Sequence, residues 1–332
     1  MANKNISIND VALRAGVSIT TVSRVINKLP TVKQENREKV EEAIRFFKFK
    51  PNLSAQRLAR GVTNAVALVI PRYEGIFYSF FAVEIIRGVG SICEQLKLDL
   101  LLHITEGKEL LNTSNVGGVI FADIIENRKQ LESVLEDKVP CITLNNIVED
   151  LPVNYIAIDN LKGAKIAVDY LLELGHKNIA TITGGTTTQA ALQRLEGYKL
   201  TLKQKNIPVK EEYIIKGDYS RRSARLATQK LLELKKPPTA IFAASDDMAQ
   251  EAITVIMEKG LKVPKDISVI GFDDNPASLY GPVALTTIKQ PLFSMAQQAV
   301  KELNAIMLAQ KKTAVKIVLP TELIVRESCS HA

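Results

Sequence analysis

Apolar residues along this chain follow two different patterns, and the pattern changes near residue 63. In the first fifty residues they recur at helical spacing, which predicts three short helices over 10–15, 19–27 and 33–46. Gly16 provides a tight turn after the first helix, and Ser18 is a good N-cap because its hydroxyl can accept from a backbone N–H of the second. Two short helices joined by a glycine-containing turn predict a helix-turn-helix.

From residue 65 onward, short apolar runs alternate with amphipathic segments, which predicts an α/β fold with parallel sheets. The predicted strands span 65–70, 98–104, 117–121, 139–144, 179–183, 239–243 and 267–271. The predicted helices span 81–96, 163–174, 189–205, 223–234 and 248–259. Two consecutive halves, 65–158 and 159–289, each have the pattern of one doubly wound unit, so we expect a ligand site in a cleft between them.

Charge is divided between these two regions as unevenly as hydrophobicity. The formal net charge is +7; the first 62 residues contain twelve Lys and Arg against five Asp and Glu, and the remaining 270 balance 31 against 31. A small basic segment joined to a large neutral one indicates a polyanionic partner, of which nucleic acid is the commonest. A solvated basic tail is the alternative, but the helical pattern of the segment argues against it.

The remaining composition argues against several classes of protein. Three cysteines and three histidines lie in no ligand-like spacing, so we expect no disulfide framework, metal site or cofactor. No apolar run approaches the ~20 residues of a membrane span, and no secretory leader follows Met1, so we expect a cytoplasmic protein. No nucleophile, base and acid form a recognisable constellation, which argues against an enzyme.

The segment 8–27 reads INDVALRAGVSITTVSRVIN and resembles the headpiece of the lactose/galactose repressor family, and residues 32–44 and 50–52 extend the resemblance. The resemblance implies that the start of the second helix faces the DNA major groove. It places Ile19, Thr20 and Arg24 where the family reads bases, and Arg24 can bond a guanine edge bidentately. The residues expected to contact phosphates are Ser18, Thr21, Ser23 and Asn27.

Residues 51–61 form one candidate short helix, with an asparagine to cap it and a glycine to end it. Such a helix is too short to be stable alone, so we expect DNA and a second copy of the chain to fold it. By resemblance it is the family's hinge helix, in which Leu58, flanked by Ala55 and Ala59, wedges between base pairs in the minor groove. The alternative is a passive linker with Leu58 packed on the core.

Motifs in the large domain, among them SDDMA at 245–249 and DISVIGFDD at 266–274, resemble the family's effector-binding core, which is built like the periplasmic sugar-binding proteins. The resemblance covers about residues 8–328. The expected domains are a headpiece (1–50), a hinge (51–62) and a core (63–332), the core comprising an N-subdomain (about 63–158 and 291–318) and a C-subdomain (about 159–289 and 319–329).

Several polar and aromatic residues after the predicted strands match the family's effector contacts. The expected effector-binding residues are Tyr78, Phe81, Asn145, Arg194, Tyr219, Ser245, Asp246, Asp273 and Gln290. One arginine, two acids and an amide around an aromatic ring suit a polyhydroxylated ligand, because Arg and Asp bond hydroxyl pairs and a closed cleft strengthens those bonds. A structural ion pair between Arg194 and Asp273 is the alternative for those two residues.

Two segments depart from the family pattern. Residues 105–115 are short for a region where the family has a full helix, and residues 71–81 form an altered, aromatic-rich loop. That loop lines the cleft and the dimer edge in the family, so the effector's identity does not carry over. Only four residues follow Ser328 and they form no heptad helix, so we expect assembly to stop at a homodimer.

Together these patterns predict a DNA-binding transcriptional repressor of carbohydrate-metabolism genes. As a homodimer it recognises a palindromic operator, and a small molecule, expected to be a sugar, binds in the cleft and controls operator affinity. A response to a corepressor such as a purine stays open. A ligand-binding protein without regulatory DNA binding and an enzyme are the competing hypotheses.

Overall fold

The computed structural model describes residues 6–26, 31–47, 49, 63–73, 76–308 and 313–332. The chain divides into two compact units, Met1–Thr63 and Asn64–Ala332. The hinge residues Ala55, Leu58 and Ala59 lie outside the described residues, as does Asn27. Among the described residues, no helix is both long enough and apolar enough to cross a bilayer.

The first unit is a three-helix headpiece formed by α1 (Ile8–Ala15), α2 (Ile19–Ile26) and α3 (Gln34–Phe47). A reciprocal pair of bonds between Ser7 and Asp10 begins α1, and Gly16, with a φ of 65°, ends it in the left-handed conformation. The apolar stripes predicted from sequence meet in one small core, whose fully buried members are Val11, Val22 and Val40.

The second unit alternates strands and helices. Its strands are β1 (Ala65–Pro71), β2 (Asp99–Thr105), β3 (Gly118–Phe121), β4 (Cys141–Leu144), β5 (Asn154–Ile158), β6 (Ile179–Ile182), β7 (Ile214–Ile215), β8 (Ala240–Ala243), β9 (Ser268–Asp273), β10 (Thr286–Lys289), β11 (Lys316–Leu319) and β12 (Glu322–Ile324). Its helices are α4 (Phe80–Leu96), α5 (Arg128–Glu136), α6 (Asn160–Glu173), α7 (Gln189–Gln204), α8 (Arg221–Leu232), α9 (Asp246–Glu258) and α10 (Leu292–Met307). Short 3-10 turns occupy Ile76–Tyr78, Glu211–Tyr213 and Pro276–Leu279.

These strands form two six-stranded sheets, each the centre of one subdomain. The N-subdomain sheet has the order β11-β5-β4-β3-β1-β2 and is parallel throughout. The C-subdomain sheet has the order β12-β10-β9-β8-β6-β7, and only β12 runs antiparallel. The chain passes between the sheets three times, near residues 159, 290 and 320, so the carboxyl ends of the strands in both sheets border one cleft.

Helices cover both faces of each sheet. In the N-subdomain, α4 and α10 pack on one face, while α5 and the irregular segment 106–117 pack on the other. In the C-subdomain, α6 and α7 cover one face and α8 and α9 the other. The segment 106–117 contains no helix, as its length predicts, and Leu111 fills part of the space with only 7% of its surface exposed.

The strands and helices predicted from sequence are present, with ends shifted by a few residues. The elements that the sequence prediction omits are α5, α10, β5, β7, β10, β11 and β12. The omitted strands have five residues or fewer, but the predicted strands β3, β4, β6 and β8 are equally short, so length alone does not separate the two sets. Helix α10 could have been predicted, because its buried residues recur every three or four positions, which is a helical pattern.

Candidate DNA-binding surface and effector cleft

Helix α2 turns one face to the headpiece core and the other to solvent. Val22 is fully buried and Val25 nearly so. Ile19, Thr20 and Arg24 are exposed, and 49% of the Ile19 surface is free to pack on a thymine methyl group. The three residues expected to read bases therefore all reach solvent from the same helix.

Ser18 fixes the start of α2. The backbone N–H of Thr21 donates to Ser18 Oγ at 3.2 Å, and the Ser18 and Thr21 hydroxyl oxygens lie 2.9 Å apart. The predicted cap is confirmed. Ser18 is exposed, whereas Thr21 and Ser23 are half-buried. Phosphate contacts by these three residues stay a prediction.

Two polar turns, one after β3 and one after β4, form the N-subdomain side of the cleft. Asn145 has a φ of 62°, a left-handed conformation that asparagine tolerates better than most residues. Its Nδ2 donates to Asp123 Oδ2 at 3.1 Å, while Asp123 Oδ1 accepts from the backbone N–H of Ile124 at 2.8 Å. Asn146 Oδ1 accepts from the same N–H at 2.8 Å, so these bonds tie the two turns together.

Asp123 is a buried acid that the sequence-based site omits. Only 6% of its surface is exposed. Burial raises its pKa from 3.8 to about 6, against the opposing effect of the hydrogen bonds from Asn145 and Ile124 and of the Arg194 charge. Arg194 lies in the other subdomain, and its charge lowers the pKa of Asp123.

Arg194 is held by its own subdomain rather than by an acid. Its Nε donates to Asn160 Oδ1 at 2.9 Å, and its Nη1 donates to the Ala244 carbonyl oxygen at 2.5 Å. Its guanidinium carbon lies 3.7 Å from the centroid of the Phe272 ring. No Arg194–Asp273 ion pair within 4.0 Å is present among the described residues. The guanidinium is therefore fixed in position before any ligand arrives.

Asp273 and Gln290 lie at the ends of adjacent strands and bind each other. Asp273 has a φ of 137°, a rare value for a residue with a side chain, and such strain often marks a functional site. Gln290 Nε2 donates to Asp273 Oδ1. Burial raises the pKa of Asp273 well above its usual range; the Arg194 charge opposes that shift and neighbouring Asp246 adds to it. Gln290 Oε1 is buried and accepts no hydrogen bond from the described residues.

Tyr219 supplies the aromatic side of the cleft. Its backbone φ is 71°, and its ring lies so close to Gly184 that a Cβ there would overlap it. Its hydroxyl lies 3.5 Å from Thr188 Oγ1. Burial raises the pKa of Tyr219, which keeps the hydroxyl neutral and able to donate.

Asp246 and Ser245 have partners within the protein. Asp246 is 1% exposed, and its carboxylate accepts from Thr287 Oγ1 at 2.5 Å, Ser278 Oγ at 2.8 Å and the Asn275 N–H at 2.8 Å. Ser245 caps α9 by accepting from the Met248 N–H at 3.4 Å. In this structure both residues support the cleft wall, and Asp246 has no carboxylate oxygen free of protein donors.

The two aromatic residues expected from the 71–81 loop differ in environment. Phe81 packs against the N-subdomain core, while Tyr78 ends a 3-10 turn and is 91% exposed. Within the part of the chain that the structure describes, neither makes a contact that fixes it in the cleft. Burial and the charge of Asp123 both raise the pKa of Tyr73, which follows β1.

One pair of bonds crosses the cleft directly. Gln189 Oε1 accepts from the Ile147 N–H at 2.7 Å, and Gln189 Nε2 donates to the Ile147 carbonyl oxygen at 3.0 Å. The sequence prediction omits Gln189 as it omits Asp123. Asp123 could have been found, because it stands two residues after a predicted strand, as other selected polar residues do. Gln189 has no such signal, since its partner is a backbone in the other subdomain.

The geometry agrees with the relatives of this chain. A family model described as bacterial regulatory proteins, lacI family, matches residues 7–52, and one described as a periplasmic binding protein-like domain matches residues 168–329. The probable HTH-type transcriptional repressor ExuR of Bacillus subtilis (strain 168) is 34% identical over 330 residues, which cover 97% of this chain and 98% of that protein. The chain belongs to the lacI family of bacterial regulatory proteins.

Solved structures of this lacI-family fold extend the likeness over nearly the whole chain. The Lac repressor dimer bound to operator and the anti-inducer ONPF matches with a TM-score of 0.85 and 29% identity over 98% of this chain and 100% of that one. The transcriptional regulator CelR–cellobiose complex matches with a TM-score of 0.74 and 29% identity over 97% and 99%. The predicted helix-turn-helix headpiece and two-subdomain α/β core are confirmed. The curated relatives are transcriptional regulators, not enzymes.

Proposed function

We propose that this lacI-family regulator is a repressor that binds a palindromic operator as a homodimer and is controlled by an uncharged sugar in its cleft. The observation that carries the DNA-binding part is the exposure of Ile19, Thr20 and Arg24 on α2, whose other face is locked in the headpiece core. Arg24 would bond a guanine edge, and Ser18, Thr21 and Ser23 would contact phosphates and set the register.

The cleft supports a polyhydroxylated ligand. Arg194 is fixed by Asn160 and Ala244, Gln290 Oε1 and Asn145 Oδ1 accept nothing from the described residues, and the Tyr219 ring offers an apolar face. Arg194 is a donor and the two amide oxygens are acceptors, and sugar hydroxyls can bond to both kinds of group. Cellobiose in the CelR complex is the matching precedent.

The charge balance of the cleft favours an uncharged sugar over an anionic one. The Arg194 charge acts on both Asp123 and Asp273, one from each subdomain. A carboxylate or phosphate on the ligand would add a negative charge beside these two acids and would raise their pKa values further, whereas a neutral ligand would not.

Exposed apolar residues support the homodimer. Edge strand β2 exposes 46% of Leu101 and 39% of Leu102, and the C-subdomain exposes 85% of Tyr280. Apolar surface of this kind is commonly covered by a partner. A regulator that binds operator DNA also shares a compartment with it, so we propose a cytoplasmic location.

The test is a gel shift on palindromic operator variants, with cellobiose, lactose, glucose, a hexuronate, glucose 6-phosphate and hypoxanthine added to the bound complex. Release of specific DNA by a neutral sugar supports the proposal. Tightening by hypoxanthine would instead make the protein a corepressor-dependent repressor. The absence of specific DNA binding with every addition would refute the proposed repressor.

A further inference from the structure

Among the described residues of the cleft, Gln189 alone has a side chain that bonds the opposite subdomain. Its amide satisfies both the N–H and the carbonyl group of Ile147, at 2.7 and 3.0 Å. Two bonds from one planar amide fix orientation as well as distance. Because the partner is backbone, the contact does not depend on the isoleucine side chain.

The helix end of this contact is rigid. Gln189 is the first residue of α7, and Thr188 caps that helix by accepting from the Ala191 N–H at 3.2 Å. Arg194 lies on the same helix, five residues further on, where two hydrogen bonds already hold it. A movement of the start of α7 relative to Ile147 therefore moves Arg194 as well.

The other end of the contact continues into the polar turns of the N-subdomain. Ile147 directly follows Asn145, which bonds Asp123, and Asn146, which accepts from the Ile124 N–H. The backbone that Gln189 binds thus belongs to the turn that presents Asn145 and steadies Asp123.

We propose that Gln189 is a positioning residue, a clasp that holds the two subdomains together without ligand and sets the separation between Arg194 and the Asp123–Asn145 pair. The proposal rests on the effector site proposed above. A cleft already clasped needs less ordering when a sugar enters, so the clasp raises effector affinity without touching the effector.

The first test needs no effector. Hydrogen–deuterium exchange of the full-length protein is followed in peptides that resolve the Ile147 amide. Gln189→Ala removes both the acceptor of the Ile147 N–H and the donor to the Ile147 carbonyl oxygen. The exchange rate of this N–H should therefore rise about tenfold. Gln189→Glu keeps the acceptor but not the donor, and an intermediate rise is expected.

Two controls keep the result specific. Gln193→Ala removes the same side chain one turn further along α7, where it lines a surface hollow beside Leu161 and Lys199. Ile147→Ala leaves both backbone groups in place. Both should show the protection factor of the wild type, which is the intrinsic exchange rate of each sequence divided by the observed rate. Equal exchange in Gln189→Ala and the wild type would overturn the clasp.

The second test separates a positioning role from simple cohesion. Calorimetric titration with cellobiose and the other neutral sugars of the panel should show five- to tenfold weaker binding to Gln189→Ala than to Gln193→Ala. Faster exchange with unchanged sugar affinity would refute the positioning role. If no sugar binds the wild type, the proposed effector class fails, while the exchange experiment still decides whether the clasp exists.

Discussion

Replacing Asp123 by asparagine tests the electrostatics of the cleft most directly, and we expect Asp123→Asn to stabilise the core at neutral pH. The new side chain can still accept from the Ile124 N–H. Its Nδ2 can donate to Asn145 Oδ1, which accepts nothing from the described residues, once the Asn145 amide rotates. The substitution therefore removes a buried charge and keeps a bond between residues 123 and 145, while the rotated Asn145 Nδ2 takes the position of the unbonded Oδ1.

The size and sign of the effect follow from the pKa of Asp123, which burial raises from 3.8 to about 6. The folded protein holds this proton more tightly than the unfolded chain. The stability present below about pH 4 is therefore lost as the pH rises through about 6. A difference of about two pH units corresponds to ~3 kcal/mol. Asparagine does not titrate, so the variant should keep this ~3 kcal/mol at pH 7.

The assay is urea unfolding of the core in steps from about pH 4.5 to pH 7.5, with the free energies of wild type and variant compared at each pH. Asp246 and Asp273 also have raised pKa values, but they are present in both proteins and cancel. Asp150→Asn is the control, because Arg128 lies 2.5 Å from this exposed carboxylate and lowers its pKa, which predicts the opposite sign. If the unfolding free energies of wild type and Asp123→Asn changed in parallel with pH across this range, the reasoning would be refuted.

Four further substitutions separate the parts of the molecule. Arg24→Ala should weaken specific operator binding by about 1–3 kcal/mol and relax base preference, as measured by gel shift on operator variants. Leu58→Ala should lower operator affinity but leave calorimetric sugar binding unchanged; equal operator affinity would remove the hinge assignment. Gly184→Ala should displace the Tyr219 ring and weaken sugar binding by about 1–3 kcal/mol, with DNA binding retained. Asp246→Ala should cost about 3 kcal/mol in urea unfolding of the core, because two buried hydroxyl groups and the half-buried Asn275 N–H lose their acceptor; a smaller loss than Asp150→Ala would contradict its supporting role.

The sequence determined the local structure wherever local physics is decisive. Ser18 caps α2 and Gly16 ends the first helix as predicted, because caps and left-handed turns depend on residues a few positions apart. The apolar stripes of the headpiece helices and the strand–helix alternation of the core could be predicted for the same reason. Charge concentrated in the first 62 residues indicated nucleic acid without any structure.

Tertiary structure decided which polar residues face a ligand and which support the wall. Asp246 and Asp273 both follow buried strands and are indistinguishable in sequence, yet only Asp246 has both carboxylate oxygens bound by protein donors. Arg194 and Asp273 do not form the ion pair that sequence left open, because Asn160, Ala244 and Gln290 take their bonds instead. The Gln189–Ile147 clasp joins residues 42 positions apart in different subdomains, and a side chain bonded to backbone leaves no residue pattern to recognise.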